Sequence, residues 1–102
     1  MEKHKAHYSL AEIKELIQKG NYNFTMSSRT TIHNELNLTE SEALDIILKL
    51  QARDLYKSMT VYHDHRLWQD VYKPLIKNVK LYIKLQLLEK LTIVISFKKA
   101  EG

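Results

Sequence analysis

Lys80-Leu81-Tyr82-Ile83-Lys84-Leu85-Gln86-Leu87 is followed, after a short break at Glu89 and Lys90, by Thr92-Ile93-Val94-Ile95-Ser96-Phe97-Lys98. These two segments decide the fold. In the first, Leu81, Ile83, Leu85 and Leu87 alternate with Lys80, Tyr82, Lys84 and Gln86; in the second, Ile93, Ile95 and Phe97 alternate with Thr92, Val94, Ser96 and Lys98. A period of two belongs to a strand with one face buried, and so short a break between two such strands predicts an antiparallel hairpin. Any register of common parity gathers the large apolar side chains on one face, which must be covered. The other face then presents Lys80, Tyr82, Lys84, Gln86, Ser96 and Lys98 as a basic, hydrogen-bonding platform. Working outward, residues 56–63 read as a further strand and residues 68–73 as another, interrupted by Pro74, which cannot donate to a ladder.

Ahead of residue 56 the period is 3.6. Ser9 and Glu12 have the spacing of a capping box, Tyr8 and Ile13 that of a hydrophobic staple, and Leu10, Ile13, Leu16 and Ile17 form one stripe that Gly20 ends. A helix over residues 10–19 follows. Thr39 and Glu42 repeat the box before Ala43, Ile46, Ile47 and Leu50, which predicts a helix running to about Arg53, and residues 28–36 read as a short third helix. The expected architecture is α+β: a single small domain over residues 1–102, helical over about 9–54 and sheet over about 55–99, with the helices packed on one face of an antiparallel sheet.

Composition narrows the function classes. The chain has 102 residues, 44% hydrophobic and 27% charged, with 2 Gly and 1 Pro, which excludes disorder and fibrous repeats. With no Cys, a thiolate nucleophile, a disulfide framework and a cysteine zinc site are all excluded. The N-terminal stretch has no long apolar run and charges break every apolar segment, so neither a signal peptide nor a membrane span is expected and the cytoplasm is the default location. Charge is uneven: residues 1–55 hold 7 Lys and Arg against 8 Asp and Glu, residues 56–102 hold 9 against 4. The basic half also carries Tyr56, Tyr62, Trp68, Tyr72, Tyr82 and Phe97, an interleaving suited to nucleic acid.

Cleaving RNA without a metal requires the 2′-hydroxyl to attack its own phosphate. A site must therefore take one proton, return another and place cations on the phosphorane oxygens. Lys57, Lys84, Lys98, Tyr82 and Gln69 are residue types that can supply these parts. His63-Asp64-His65 offers at most three ligands on a turn and no fourth, so no metal is expected there; its histidines suit acid–base work at neutral pH, or simple packing against Trp68. A glycine-rich phosphate loop, a serine elbow and a paired-carboxylate arrangement are all missing, which speaks against ATPases and standard hydrolases.

Tyr56-Lys57-Ser58-Met59-Thr60, Asp64-His65, Trp68-Gln69-Asp70-Val71-Tyr72-Lys73-Pro74, Leu81-Tyr82-Ile83-Lys84 and Ser96-Phe97-Lys98, in this order and spacing, resemble the MqsR family of bacterial toxins. The resemblance is close over residues 56–98 and looser over 21–55. It implies a RelE-like fold and an mRNA interferase: a metal-independent, sequence-selective endoribonuclease that is the toxin of a type II toxin–antitoxin pair. Carried over position by position, it places the catalytic set on Lys57, Gln69, Tyr82 and Lys98 and matches Tyr56 and Met59 to neighbouring positions of the site; with Lys73 and with Lys84 of the basic sheet face these are the expected RNA contacts, and no metal or cofactor is expected. Lys73 departs from the pattern, a point charge where the family usually has the planar fork of Arg. The partners implied are mRNA and a zinc-binding, helix-turn-helix antitoxin, with no direct DNA contact by this chain. The reading from another class is a non-catalytic RNA- or protein-binding module that uses the same basic face.

Overall fold

The computed structural model describes residues 1–101. In chain order they form strand β1 (Glu2–Lys3), helix α1 (Leu10–Gln18), β2 (Tyr22–Phe24), α2 (Met26–Thr30), α3 (Glu40–Leu48), β3 (Leu55–Val61), β4 (Asp64–Tyr72), β5 (Leu75–Ile76), β6 (Val79–Leu88) and β7 (Leu91–Lys99). The strands make one seven-stranded sheet in the order β1-β3-β4-β6-β7-β2, with β5 paired to β6 beside this path. All pairs are antiparallel except β2 with β7, which are parallel, and β2 lies inside the region read as helical.

Local chemistry explains the element ends. Ser9 accepts the Glu12 N–H at 3.1 Å, and Thr39 and Glu42 complete a reciprocal capping box at 3.0 and 2.9 Å. Gly20 closes α1 at φ +81, an angle that strains any residue with a Cβ, although a Cβ there would meet nothing within 4 Å. The expected helix over residues 28–36 is instead α2, capped by Thr25, followed by a widened π-helical turn over Thr31–Glu35. The helix expected to reach Arg53 stops at Leu48, and Ala52–Asp54 form a separate 3₁₀ turn. The turn between β6 and β7 holds Glu89 and Lys90 at φ 49 and 64, the left-handed pair whose twist matches a two-residue hairpin. Lys77 and Asn78 repeat this geometry at φ 50 and 68 and close the β5–β6 hairpin, whose two-residue arm is too short to show periodicity.

One sheet face is covered. Ile13 and Ile17 of α1, Ile32, and Ala43 and Ile47 of α3 pack with Leu81, Ile83, Leu85, Val94 and Phe97 into one buried cluster. This corrects the expectation for Ile93 and Ile95, which are only partly buried, while Thr92 and Val94 are fully buried in their place. The cause is a bulge. Lys84 pairs with Ser96 but Leu85 pairs with Val94, so Ile95 is an extra residue and parity flips along β7. The Thr25 hydroxyl donates to the Ile95 carbonyl at 2.8 Å and that of Thr92 to the Ile13 carbonyl at 3.1 Å, which satisfies the displaced polar groups. On the Phe97 side of the bulge the expected parity holds, with Tyr82 and Lys98 directly opposite each other on the uncovered face. Among the described residues no helix is long and apolar enough to cross a membrane.

Candidate active site

Strand pairing aligns Lys57, Val71, Lys84 and Ser96 in a single row across β3, β4, β6 and β7, on the face away from the helices. Adjacent strands lie about 4.8 Å apart, so the backbones of Lys57 and Lys84 stand about 10 Å apart. Val71, fully buried, lies between them in the row. Tyr82 and Lys98 form part of the next row. The Tyr82 ring centroid is 5.3 Å from the Lys98 ammonium, 5.7 Å from that of Lys84 and 6.0 Å from that of Lys73. A register shift between Leu55 and Lys57 turns Tyr56 outward, where the Lys73 and Lys57 ammoniums lie 3.7 and 5.4 Å from its ring. Tyr56, Lys57, Lys73, Tyr82, Lys98, Lys99 and Glu101 line a depression of about 320 Å³.

Four ammoniums thus crowd two tyrosine rings. Among the described residues only Lys57 of the four has an acidic partner, Glu2, at 3.1 Å. That bond raises the Lys57 pKa above the ordinary lysine value. Lys84 moves the other way: burial, with the like charges of Lys98 and Lys57 added, pushes its pKa down. Burial pushes the Tyr82 hydroxyl up, against the opposing pull of Lys57, so it stays protonated at neutral pH. Such a surface attracts a phosphate diester, whose charge relieves the mutual repulsion of the lysines.

The remaining sequence-designated residues lie further along the same face. Gln69 sits opposite Met59, one same-face step from Val71 and so about 7 Å along β4. Neither lines the depression. Gln86, expected at the solvent surface, is only 6% exposed and accepts a hydrogen bond from Gln69. His63 is exposed and packs edge-on against Tyr62 at 4.9 Å rather than on Trp68. The ring on Trp68 is that of His7, stacked at 5.1 Å, with the Lys3 ammonium 4.2 Å from the indole. Asp70, fully buried, accepts the N–H groups of His7 and Tyr8 and the Ser58 hydroxyl, at 2.9 Å from Tyr8 and 2.6 Å from Ser58. These bonds tie the N-terminal segment to the sheet and bring β1, with Glu2, beside Lys57. Glu2 escaped the sequence reading because 55 residues separate it from its partner.

Residues 5–99 match the family described as the motility quorum-sensing regulator, toxin of MqsA. The mRNA interferase toxin MqsR of Escherichia coli (strain K12) is 37% identical over 99 residues, which cover 97% of this chain and 99% of that protein. The chain is a member of the MqsR toxin family.

Proposed function

We propose that this chain cuts mRNA at selected sequences without a metal, through the lysine–tyrosine cluster on the open sheet face. Family membership carries the coarser reading, an endoribonuclease that is the toxin of a toxin–antitoxin pair. The observation that supports the finer one is the convergence of Lys73, Lys84 and Lys98 around the Tyr82 ring and of Lys57 and Lys73 around that of Tyr56, on a face open to a substrate. In this reading the 2′-oxygen bonds to phosphorus as the bond from phosphorus to the 5′-oxygen breaks, leaving a 2′,3′-cyclic phosphate and a 5′-hydroxyl. Lys57 and Lys98 hold the phosphorane oxygens, where fixed cations act most strongly. An amine of the cluster takes the 2′-hydroxyl proton, and Lys84, whose pKa burial pushes down, is the one whose charged form is least favoured. The protonated Tyr82 hydroxyl gives its proton to the departing 5′-oxygen. Gln69 positions the RNA through its amide, Tyr56 and Met59 contact neighbouring nucleotides, and Lys73 adds a flanking charge. The protein partner is an antitoxin, taken to be zinc-binding with a helix-turn-helix part, and the setting is the cytoplasm.

Incubation of the purified protein with a long mRNA in EDTA tests this reading. Discrete fragments with 5′-hydroxyl ends are expected; intact RNA would reduce the face to a binding surface, and an unselective smear would remove the claim of sequence selectivity. Lys57→Ala, Gln69→Ala, Tyr82→Ala and Lys98→Ala should each lose about 10² to 10³ in rate while staying folded. Tyr82→Phe keeps the ring and deletes only the hydroxyl, so full activity in that variant removes Tyr82 from proton transfer.

A further inference from the structure

Gln69 and Gln86 face each other one step beyond Asp70 and Leu85, the last backbone pair that joins β4 to β6, where the two strands part. Their side chains bridge the gap: the Gln69 Nε2 donates to the Gln86 Oε1 at 2.9 Å. Gln86 stands in the polar column of β6 yet is almost fully buried, an environment in which an amide is costly unless hydrogen-bonded. A primary amide presents an acceptor on one side and two donors on the other, and nothing intrinsic to Gln69 decides which side faces the substrate. In this structure Gln86 turns its carbonyl toward Gln69, and that arrangement sets it. Once one N–H of Gln69 is committed to that oxygen, the amide plane is set and its own carbonyl lies on the side away from Gln86.

We propose that Gln86 is a positioning residue that holds the Gln69 amide in one orientation, presenting the Gln69 carbonyl oxygen as a fixed acceptor to the RNA. This rests on the reading of Gln69 as part of the site. It explains why a glutamine occupies a nearly buried position that an apolar side chain of similar volume would fill. Gln86 itself, buried behind Gln69's bond, acts through that side chain.

The test is a double-mutant cycle read as kcat and KM on a defined RNA. Gln86→Met keeps length and volume and deletes the acceptor. A freed amide samples both orientations and loses about one hydrogen bond's worth of organisation, so kcat should fall about five- to tenfold with KM within about twofold. Gln86→Glu restores an acceptor oxygen at the same reach and should recover kcat to within about twofold, with KM raised by the added charge. In a Gln69→Ala background, Gln86→Met should have no further effect. Wild-type kcat in Gln86→Met, or an equal loss in both backgrounds, overturns the proposal and leaves Gln86 a packing residue. Wild-type activity in Gln69→Ala itself overturns the site reading, which separates the two failures. Should Gln86→Met not fold, Gln86→Leu replaces it under the same criteria.

Discussion

Removing the carboxylate of Glu2 should tighten RNA binding. Glu2 lies 3.1 Å from the Lys57 ammonium, and in the proposed mechanism it competes there with a phosphate oxygen. Two unit charges at that separation attract by about 1 kcal/mol in bulk water, and more in a less polar setting. Here the Lys57 side chain is 19% exposed but that of Glu2 is 55% exposed, so solvent screening reduces the pair to about 0.5–1 kcal/mol. A phosphate must displace that interaction, so Glu2→Gln should lower Kd about two- to fivefold. The assay is fluorescence anisotropy of a labelled 2′-O-methyl RNA oligomer, which lacks the attacking hydroxyl and stays intact. The gap should shrink to near nothing at about 0.5 M salt, where screening covers the remaining charge. Because Glu2 holds the folded pKa of Lys57 up, the pair stabilises the fold fully below the ordinary lysine pKa and that contribution is lost as pH rises through the raised value. The substitution should therefore cost about 0.5–1 kcal/mol at neutral pH, and the cost should vanish at strongly alkaline pH. Weaker or unchanged binding at low salt would refute the argument and make Glu2 an organiser of Lys57 rather than a competitor.

Four ammoniums in the cluster predict a log–log salt slope of about −3 on single-stranded RNA, with Lys98→Ala reducing its magnitude by about 0.7; a slope near zero would place binding elsewhere. Lys84→Met should cut cleavage more than tenfold yet raise folding stability by about 0.5 kcal/mol, since it removes a half-buried charge that Lys98 and Lys57 repel. The wild type gains stability as pH rises from the depressed Lys84 pKa towards the ordinary lysine value, so urea midpoints of the two proteins should converge over that window. Asp70→Ala strands the buried Ser58 hydroxyl and frees the His7 and Tyr8 amides, at a cost of about 2–4 kcal/mol in urea unfolding, with faster hydrogen exchange at those two amides. Protection unchanged at His7 and Tyr8 would show that Asp70 does not hold the N-terminal segment.

What the amino-acid sequence determined by itself was whatever neighbouring residues decide. Capping boxes and stripes located α1 and α3, and alternation located β6 and β7. Parity put Tyr82, Lys84 and Lys98 on one face, because side chains two apart on a strand must share a side. Family motifs designated Lys57 and Gln69, but periodicity could not say how near they come to the others. The tertiary structure decided the rest. The bulge at Ile95 exchanged Ile93 and Ile95 for Thr92 and Val94 in the core, and the Ile95 carbonyl it displaces is satisfied by a hydroxyl on Thr25, distant in sequence. The short strands β1, β2 and β5 have too few residues to carry a period and exist only because a longer strand is there to pair with. The pairing of Glu2 with Lys57 and the burial of Asp70 under residues 7 and 8 depend on contacts across more than fifty residues. Charge and burial act through space, so which lysine is raised, which is lowered and which amides pair emerge only once the strands lie side by side.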